Sequence, residues 1–74
     1  MAIKLKILGS AAEKVGARNL EIEQDDAKPI REILPGDPLN QDLYIVLVDG
    51  KSMSLDAPVS GDKKVVIMPR ISGG

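Results

Sequence analysis

The chain closes on the segment Met68-Pro69-Arg70-Ile71-Ser72-Gly73-Gly74, which thins to two glycines at its end. Glycine has no Cβ, so a glycine backbone can enter a narrow site and lie close to the catalytic groups of another protein. The free carboxylate of Gly74, presented by Gly73, is therefore a candidate chemical group. A loose end without function is the alternative, because chain termini are often poorly ordered.

The side chains that most enzymes use for catalysis are missing. Histidine and cysteine are both absent from the 74 residues. Nucleophilic triads, most zinc sites and general bases that titrate near neutral pH depend on one or the other. The sequence also lacks the glycine-rich phosphate loop G-x-x-x-x-G-K-S/T, so the chain is not expected to hold ATP. We expect no autonomous enzyme, no metal site and no bound cofactor.

Charge and hydropathy exclude two further classes of partner. The formal net charge is −1, from 10 basic and 11 acidic residues, and the basic residues are scattered along the chain. A scattered set cannot neutralise a row of phosphates, so nucleic acid is not an expected partner. The longest apolar run, residues 43–48, is far too short to cross a bilayer. We therefore expect a small cytoplasmic domain without a membrane partner.

Period-two alternation and turn signals place the strands. Five strands are predicted, over residues 3–7, 20–23, 43–48, 51–55 and 63–68. In the first strand, Lys4 and Lys6 alternate with apolar residues, which is typical of a strand with one buried face. Asp49-Gly50 is a favoured two-residue turn and predicts a hairpin between the third and fourth strands.

Between these strands the sequence predicts helix. A helix is expected over residues 26–34, capped by Asp25-Asp26 and ended by Pro35-Gly36. A shorter helical turn is expected around residues 11–15. This element order favours an α+β fold with one short helix packed on one face of the sheet. Besides alternate residues of the two apolar strands, the predicted core contains Ile3, Leu5, Ile7, Ile22, Ile30, Ile33 and Leu34.

The closing stretch resembles MoaD, the small sulfur-carrier subunit of molybdopterin synthase. The matching elements are Asp56, Pro58, the Gly61-Asp62 turn, the apolar strand 65–68, Pro69 and Gly73-Gly74. Since that family has a β-grasp, ubiquitin-like fold, the resemblance implies a mixed sheet of four or five strands. Its first and last strands would be parallel neighbours at the centre. The β-grasp domain would span residues 1–68, and residues 69–74 would form a flexible Gly-Gly tail.

The resemblance also implies a function that partners carry out. An E1-like adenylating enzyme would use ATP to convert the Gly74 carboxylate into an acyl-adenylate, and a sulfur donor would turn that into a thiocarboxylate. The large, catalytic subunit of molybdopterin synthase would then take the sulfur for molybdenum or tungsten cofactor synthesis. Since this chain has no cysteine, an acyl sulfide needs a carboxyl group, and that of Gly74 is the most reachable.

Other functions stay open at this point. A sulfur carrier of the thiazole pathway or a ubiquitin-like modifier joined to lysines could end in the same way. A plain interaction domain, whose tail is never activated, belongs to a different class.

A partner-binding surface is predicted beside the tail. The third and last strands are apolar at both alternating positions, although one short helix covers only one face of a sheet. The other face is therefore expected to carry an apolar patch. Its predicted members are Val66 and Met68, together with Tyr44, Val46 or Val48.

Three residues join this patch to the glycines. Pro69, Arg70 and Ile71 are expected to contact the partner and to direct the tail into its site. For Arg70 the alternatives are an ion pair with an acidic partner surface and a solvated charge at the end of a strand.

Overall fold

The computed structural model describes residues 2–70. The elements in chain order are β1 (Ala2–Ile7), α1 (Ser10–Val15), β2 (Asn19–Glu23), β3 (Lys28–Pro29), α2 (Ile30–Ile33), β4 (Tyr44–Val48), β5 (Lys51–Met53), β6 (Pro58–Val59) and β7 (Lys63–Pro69). A short 3-10 helix, Gln41–Leu43, leads into β4.

Five of the strands form one mixed sheet in the order β2-β1-β7-β4-β5. The first strand, β1, runs parallel to β7, while every other pairing in this sheet is antiparallel. The remaining strands, β3 and β6, form a small two-stranded sheet of their own. The expected α+β class is confirmed, with the first and last strands side by side at the centre.

One face of the five-stranded sheet carries the core, which is aliphatic apart from Tyr44. Its buried members are Ile3, Leu5, Ile7, Ala11, Val15, Ile30, Leu39, Tyr44, Val46, Val48, Leu55, Val59, Val65 and Ile67. Three residues predicted to be in the core, Ile22, Ile33 and Leu34, are half-buried at its margin instead. Each fully buried aliphatic side chain stabilises the fold by about 1.5–3 kcal/mol relative to its exposure.

The predicted helix over residues 26–34 is wrong in extent, since α2 covers only its last part. Proline disfavours helical backbone in the residue that precedes it, so Lys28 is extended and belongs to β3. The same rule applies to Leu34, which stands before Pro35 and has a ψ of 129°. Two prolines therefore confine the helix to a single turn.

The predicted cap at Asp25-Asp26 is also wrong. The residue before α2 is Pro29, and no side chain caps the helix there. Instead the first amides of α2 bond to the loop before β6: Ile30 N donates to Ala57 O at 3.2 Å and Arg31 N to Leu55 O at 3.0 Å. These bonds satisfy amides that a short helix cannot pair internally.

The helical turn expected around residues 11–15 is present as α1, and it packs on the same face of the sheet as α2. Ala11 and Val15, four residues apart, are the buried side chains of this helix. Gly16 ends it in the left-handed conformation, with a φ of 90°. Two short helices, of six and four residues, thus lie on the core side of the sheet.

At Gly36 the backbone passes close to the last residues of α1. A Cβ at this position would lie 2.3 Å from Lys14 O and 2.6 Å from Val15 O, and its φ is +84°. We expect Gly36→Ala to lower the free energy of unfolding through left-handed strain, about 1–2 kcal/mol, and through overpacking, about 1–3 kcal/mol more. Gly61→Ala is the control, because its φ is +73° but nothing lies within 4 Å. Urea unfolding measures both, and equal losses would contradict the prediction.

The β4–β5 turn contains one carboxylate whose ionisation stabilises the fold. The amide of Lys64 donates to Asp49 Oδ1 at 3.0 Å, and Lys63 Nζ lies 3.5 Å from Asp49 Oδ2. The Lys64 amide first, and then the lysine charges, lower the pKa of Asp49 below its ordinary value.

A lowered pKa in the folded state means that Asp49 stabilises the fold above its unfolded pKa. That stability is lost as the pH falls through the folded value. We expect Asp49→Asn to lower the unfolding temperature at neutral pH and to have less effect in strong acid. Asn is the matched replacement, because it also tolerates positive φ, here 49°. Thermal unfolding of both proteins from neutral pH to strong acid tests this prediction. A difference in unfolding temperature that does not change with pH would refute it.

Candidate functional site

The last strand leads straight to the predicted reactive end. It lies between β1 and β4, and hydrogen bonds extend both pairings beyond the strand ends. On one side Leu8 N donates to Ile67 O at 2.8 Å, and on the other Arg70 N donates to Leu43 O at 2.8 Å. The backbone is therefore held in the sheet up to Arg70.

Three of the predicted site residues, Ile71, Gly73 and Gly74, lie outside the described residues. Their roles, and the division into a domain over residues 1–68 and a tail over 69–74, remain predictions. Within the described part, β7 includes Pro69, which is half-buried and stands opposite Tyr44 in the register with β4.

Side chains of β7 alternate between the core and the open face of the sheet. Val65 and Ile67 are buried, at 1% and 0% exposure, whereas Val66 and Met68 are half-buried on the face that no helix covers. The structure therefore brings Val66 and Met68 together on the predicted face.

Their predicted partners on β4 need correction. Tyr44, a proposed member of the patch, is only 3% exposed, and Val46 and Val48 share its core face. The register instead places Ile45 beside Met68 and Leu47 beside Val66. These four half-buried residues, Ile45, Leu47, Val66 and Met68, are the outer patch.

Apolar surface continues from the outer patch toward the tail. Leu43, which is 55% exposed, precedes β4 by one residue, and its carbonyl accepts the Arg70 amide. Leu8, at 38% exposure, follows β1 next to the end of β7. The side chain of Arg70 is exposed and forms no ion pair with any residue between 2 and 70.

Lysines border the outer patch on its β1 side. Lys6 pairs with Val66, and Lys4 pairs with Lys64, in the parallel register of β1 and β7. Glu21 of β2 lies opposite Lys4. The uncovered face of the sheet is therefore apolar over β4 and β7 and charged over β1 and β2, with lysines nearest the patch.

Residues 2–70 contain neither a cluster of potential metal ligands nor a helix that could span a membrane. No three acidic side chains there converge as they would around a metal ion. Neither helix has the length and hydropathy that crossing a bilayer requires.

Comparison with known proteins gives a likeness to a solved structure. No family model and no curated protein matches this sequence. The crystal structure of SAMP1 from Haloferax volcanii resembles the chain with a TM-score of 0.65 and 16% sequence identity, covering 100% of both chains. At this identity the likeness establishes the fold alone. The chain has the ubiquitin-like β-grasp fold.

Neighbouring residues of β7 should differ in how much stability they lose when they are replaced by a charged residue. We expect Ile67→Asp to unfold the domain, because a carboxylate without partners would be buried in the core. Met68→Asp and Val66→Asp place the charge on the open face and should cost much less stability. Urea unfolding of the three variants measures the difference. A loss of stability at Met68 as large as that at Ile67 would show that this face is covered within the monomer.

Proposed function

We propose that this chain is a sulfur carrier, which is adenylated and then thiocarboxylated at Gly74 and donates sulfur for molybdopterin synthesis. The observation that carries the proposal is the course of β7. This central strand of a ubiquitin-like sheet is held by hydrogen bonds up to Arg70, and Gly74 lies four residues farther along the sequence.

In the proposed activation the partner supplies the nucleotide and this chain supplies the nucleophile. A carboxylate oxygen of Gly74 attacks the α-phosphorus of ATP, the bond to the bridging oxygen breaks, and pyrophosphate leaves. Hydrosulfide supplied by a donor then attacks the acyl carbon, AMP leaves with the oxygen that was bonded to phosphorus, and loss of the S–H proton gives the thiocarboxylate. The absence of histidine and cysteine fits a chain that contributes only the group to be modified.

The short tail requires the body to dock close to the partner's site. From Pro69 to Gly74 an extended chain reaches at most ~20 Å, at about 3.3–3.6 Å per residue. The outer patch faces away from the core, and the exposed side chains of Leu43 and Leu8 extend its apolar surface to the end of β7. We therefore assign it to docking on both the E1-like enzyme and the large subunit of the synthase.

Charge adds a constraint on these partners. Lys6 flanks the β1 side of the outer patch, and Lys64 lies two residues before Val66 on β7. Arg70 lies just beyond the other end of that strand. A complementary surface has an apolar centre with carboxylates on its rim, where opposite charges speed association and fix orientation. If the partner has such carboxylates, Arg70 would form an ion pair with one of them and would not remain a solvated charge.

A ubiquitin-like modifier is the main alternative, because it would need the same activation and the same tail. The two differ in the second step, where the amine of a lysine, rather than sulfur, attacks the acyl carbon. The likeness to SAMP1 is one of fold and favours neither function. A thiazole-pathway carrier and an interaction domain without activation are the remaining alternatives.

Intact-mass measurement of protein recovered from its native cell separates these functions. A fraction in which one oxygen of Gly74 is replaced by sulfur supports a carrier, whereas attachment to lysines of other proteins supports the modifier. An unmodified chain under conditions of active cofactor synthesis would contradict both. Loss of molybdenum or tungsten cofactor on deletion of the gene, without a requirement for thiazole, assigns the pathway.

Removal of Gly74 is the direct test of the reactive group. We expect the shortened chain to restore no cofactor synthesis in a deficient cell, because the new carboxylate falls one residue short of the partner's catalytic groups. Its unfolding temperature should equal that of the full chain. Ser72→Ala is the control, since it keeps both the length and the two glycines. Restored synthesis by the chain without Gly74 would refute the carrier function.

A further inference from the structure

We propose that Gly9, at the junction of β1 and α1, positions the end of β7, because its missing side chain leaves the space that the ring of Pro69 occupies. This inference rests on the proposed activation of Gly74, and it assigns a role to a residue distant in sequence from the tail. Gly9 is a positioning residue, since it touches neither the carboxylate nor any reacting atom.

The backbone at Gly9 adopts a conformation that only glycine takes readily. Its φ is 58° and its ψ is −140°, the mirror image of extended backbone, where a residue with a Cβ is strained. The bonds on both sides fix this turn: Leu8 N donates to Ile67 O at 2.8 Å, and Ala12 N donates to Gly9 O at 3.0 Å. The turn thus joins the central strands to α1 in one rigid unit.

The missing side chain leaves room for the proline ring. A Cβ built on Gly9 would lie 2.7 Å from Pro69 Cγ and 3.1 Å from Pro69 Cδ. A carbon contact of 2.7 Å is far inside the optimal separation of about 3.5–4.0 Å. Pro69 therefore packs directly on the Gly9 backbone and could not keep its position beside any other residue.

A second contact ties the same junction to β4. Ser10 Oγ lies 3.3 Å from the hydroxyl of Tyr44, and Tyr44 stands opposite Pro69 in the β4–β7 register. The start of α1 thus meets both β4 and β7 at the C-terminal end of β7. Tyr44 is 3% exposed, so its ring cannot move away to make room for Pro69.

Displacement of the Pro69 ring would weaken the backbone hydrogen bond of the next residue, Arg70. The Arg70 amide donates to Leu43 O at 2.8 Å, and this bond requires Pro69 to stay in register. From Arg70 to Gly74 an extended chain reaches at most ~17 Å, at about 3.3–3.6 Å per residue, so the direction of the backbone at Arg70 limits where the carboxylate can fall relative to a docked body. A misplacement of about 1 Å at a reacting group can cost about a hundredfold in rate.

The test is a double-mutant cycle between Gly9 and Pro69 in the full chain. The readout is pyrophosphate exchange with ATP by the E1-like enzyme of the same cell. We expect Gly9→Ala to lower kcat at least about tenfold and to change KM by less than about twofold, because the outer patch is intact. In a Pro69→Ala background, which lacks the ring carbons, Gly9→Ala should lower kcat by less than about twofold.

Gly16→Ala is the matched control. Its φ is +90° and nothing lies within 4 Å of an added Cβ, so it introduces left-handed strain without a clash. We expect its kcat to stay near that of the unchanged chain. An equal loss for Gly9→Ala in both backgrounds would overturn the inference. The inference would also be overturned if Gly9→Ala failed to fold both with Pro69 and in the Pro69→Ala background, because Gly9 would then be needed only for its backbone conformation. If Gly9→Ala fails to fold with Pro69 but folds in the Pro69→Ala background, the inference is supported.

Amide hydrogen exchange at Arg70 tests the same coupling without any partner. Gly9→Ala should speed this exchange when Pro69 is present and leave it nearly unchanged in the Pro69→Ala background. If the unchanged chain is never adenylated, the proposed function fails while the exchange result still decides the role of Gly9. If the chain is adenylated but neither kcat nor exchange shows coupling, the inference is wrong and the proposed function stands.

Discussion

The parallel pairing of β1 with β7 is the interaction on which the rest of the structure depends. These strands come from opposite ends of the described chain, and they lie together at the centre of the sheet. Their register sets Leu5 beside Val65 and Ile7 beside Ile67, and all four are at most 2% exposed. Burial of these side chains offsets the chain entropy lost in joining such distant segments. The same pairing carries the last strand to the point where the tail begins, so the site cannot be separated from the core.

Much of this fold follows from local sequence patterns. Period-two alternation located the first strand, β1, and the turn at Asp49-Gly50 located the hairpin of β4 and β5. The helix over residues 26–34 was predicted too long, because its apolar spacing suits a helix while Pro29 and Pro35 forbid one before and after a single turn. A proline disfavours helical backbone in the residue before it, and this effect outweighed the helical spacing of the apolar residues Ile30, Ile33 and Leu34.

The candidate site could be predicted only in part. Val66 and Met68 were placed correctly on the open face, since the buried partners Val65 and Ile67 alternate with them. On β4 the prediction failed, because an unbroken apolar run contains no polar residue to mark the exposed positions. The Gly9 contact has no local signal at all, since it depends on where Pro69 lies after folding. A contact between residues that are distant in sequence leaves no pattern in the local sequence, so it cannot be predicted from that sequence.

The central place of the last strand has a consequence for biosynthesis. During translation β1 emerges first and β7 last, so β1 and β4 have a vacant position between them until Pro69 has left the ribosome. Closure of the sheet thus waits for β7, and it joins segments at a high separation in sequence, which slows folding. A nascent or unfolded chain lacks the outer patch, because the members of that patch come from both β4 and β7. A partner that recognised the assembled outer patch would therefore select molecules whose sheet is closed, without a separate device for proofreading.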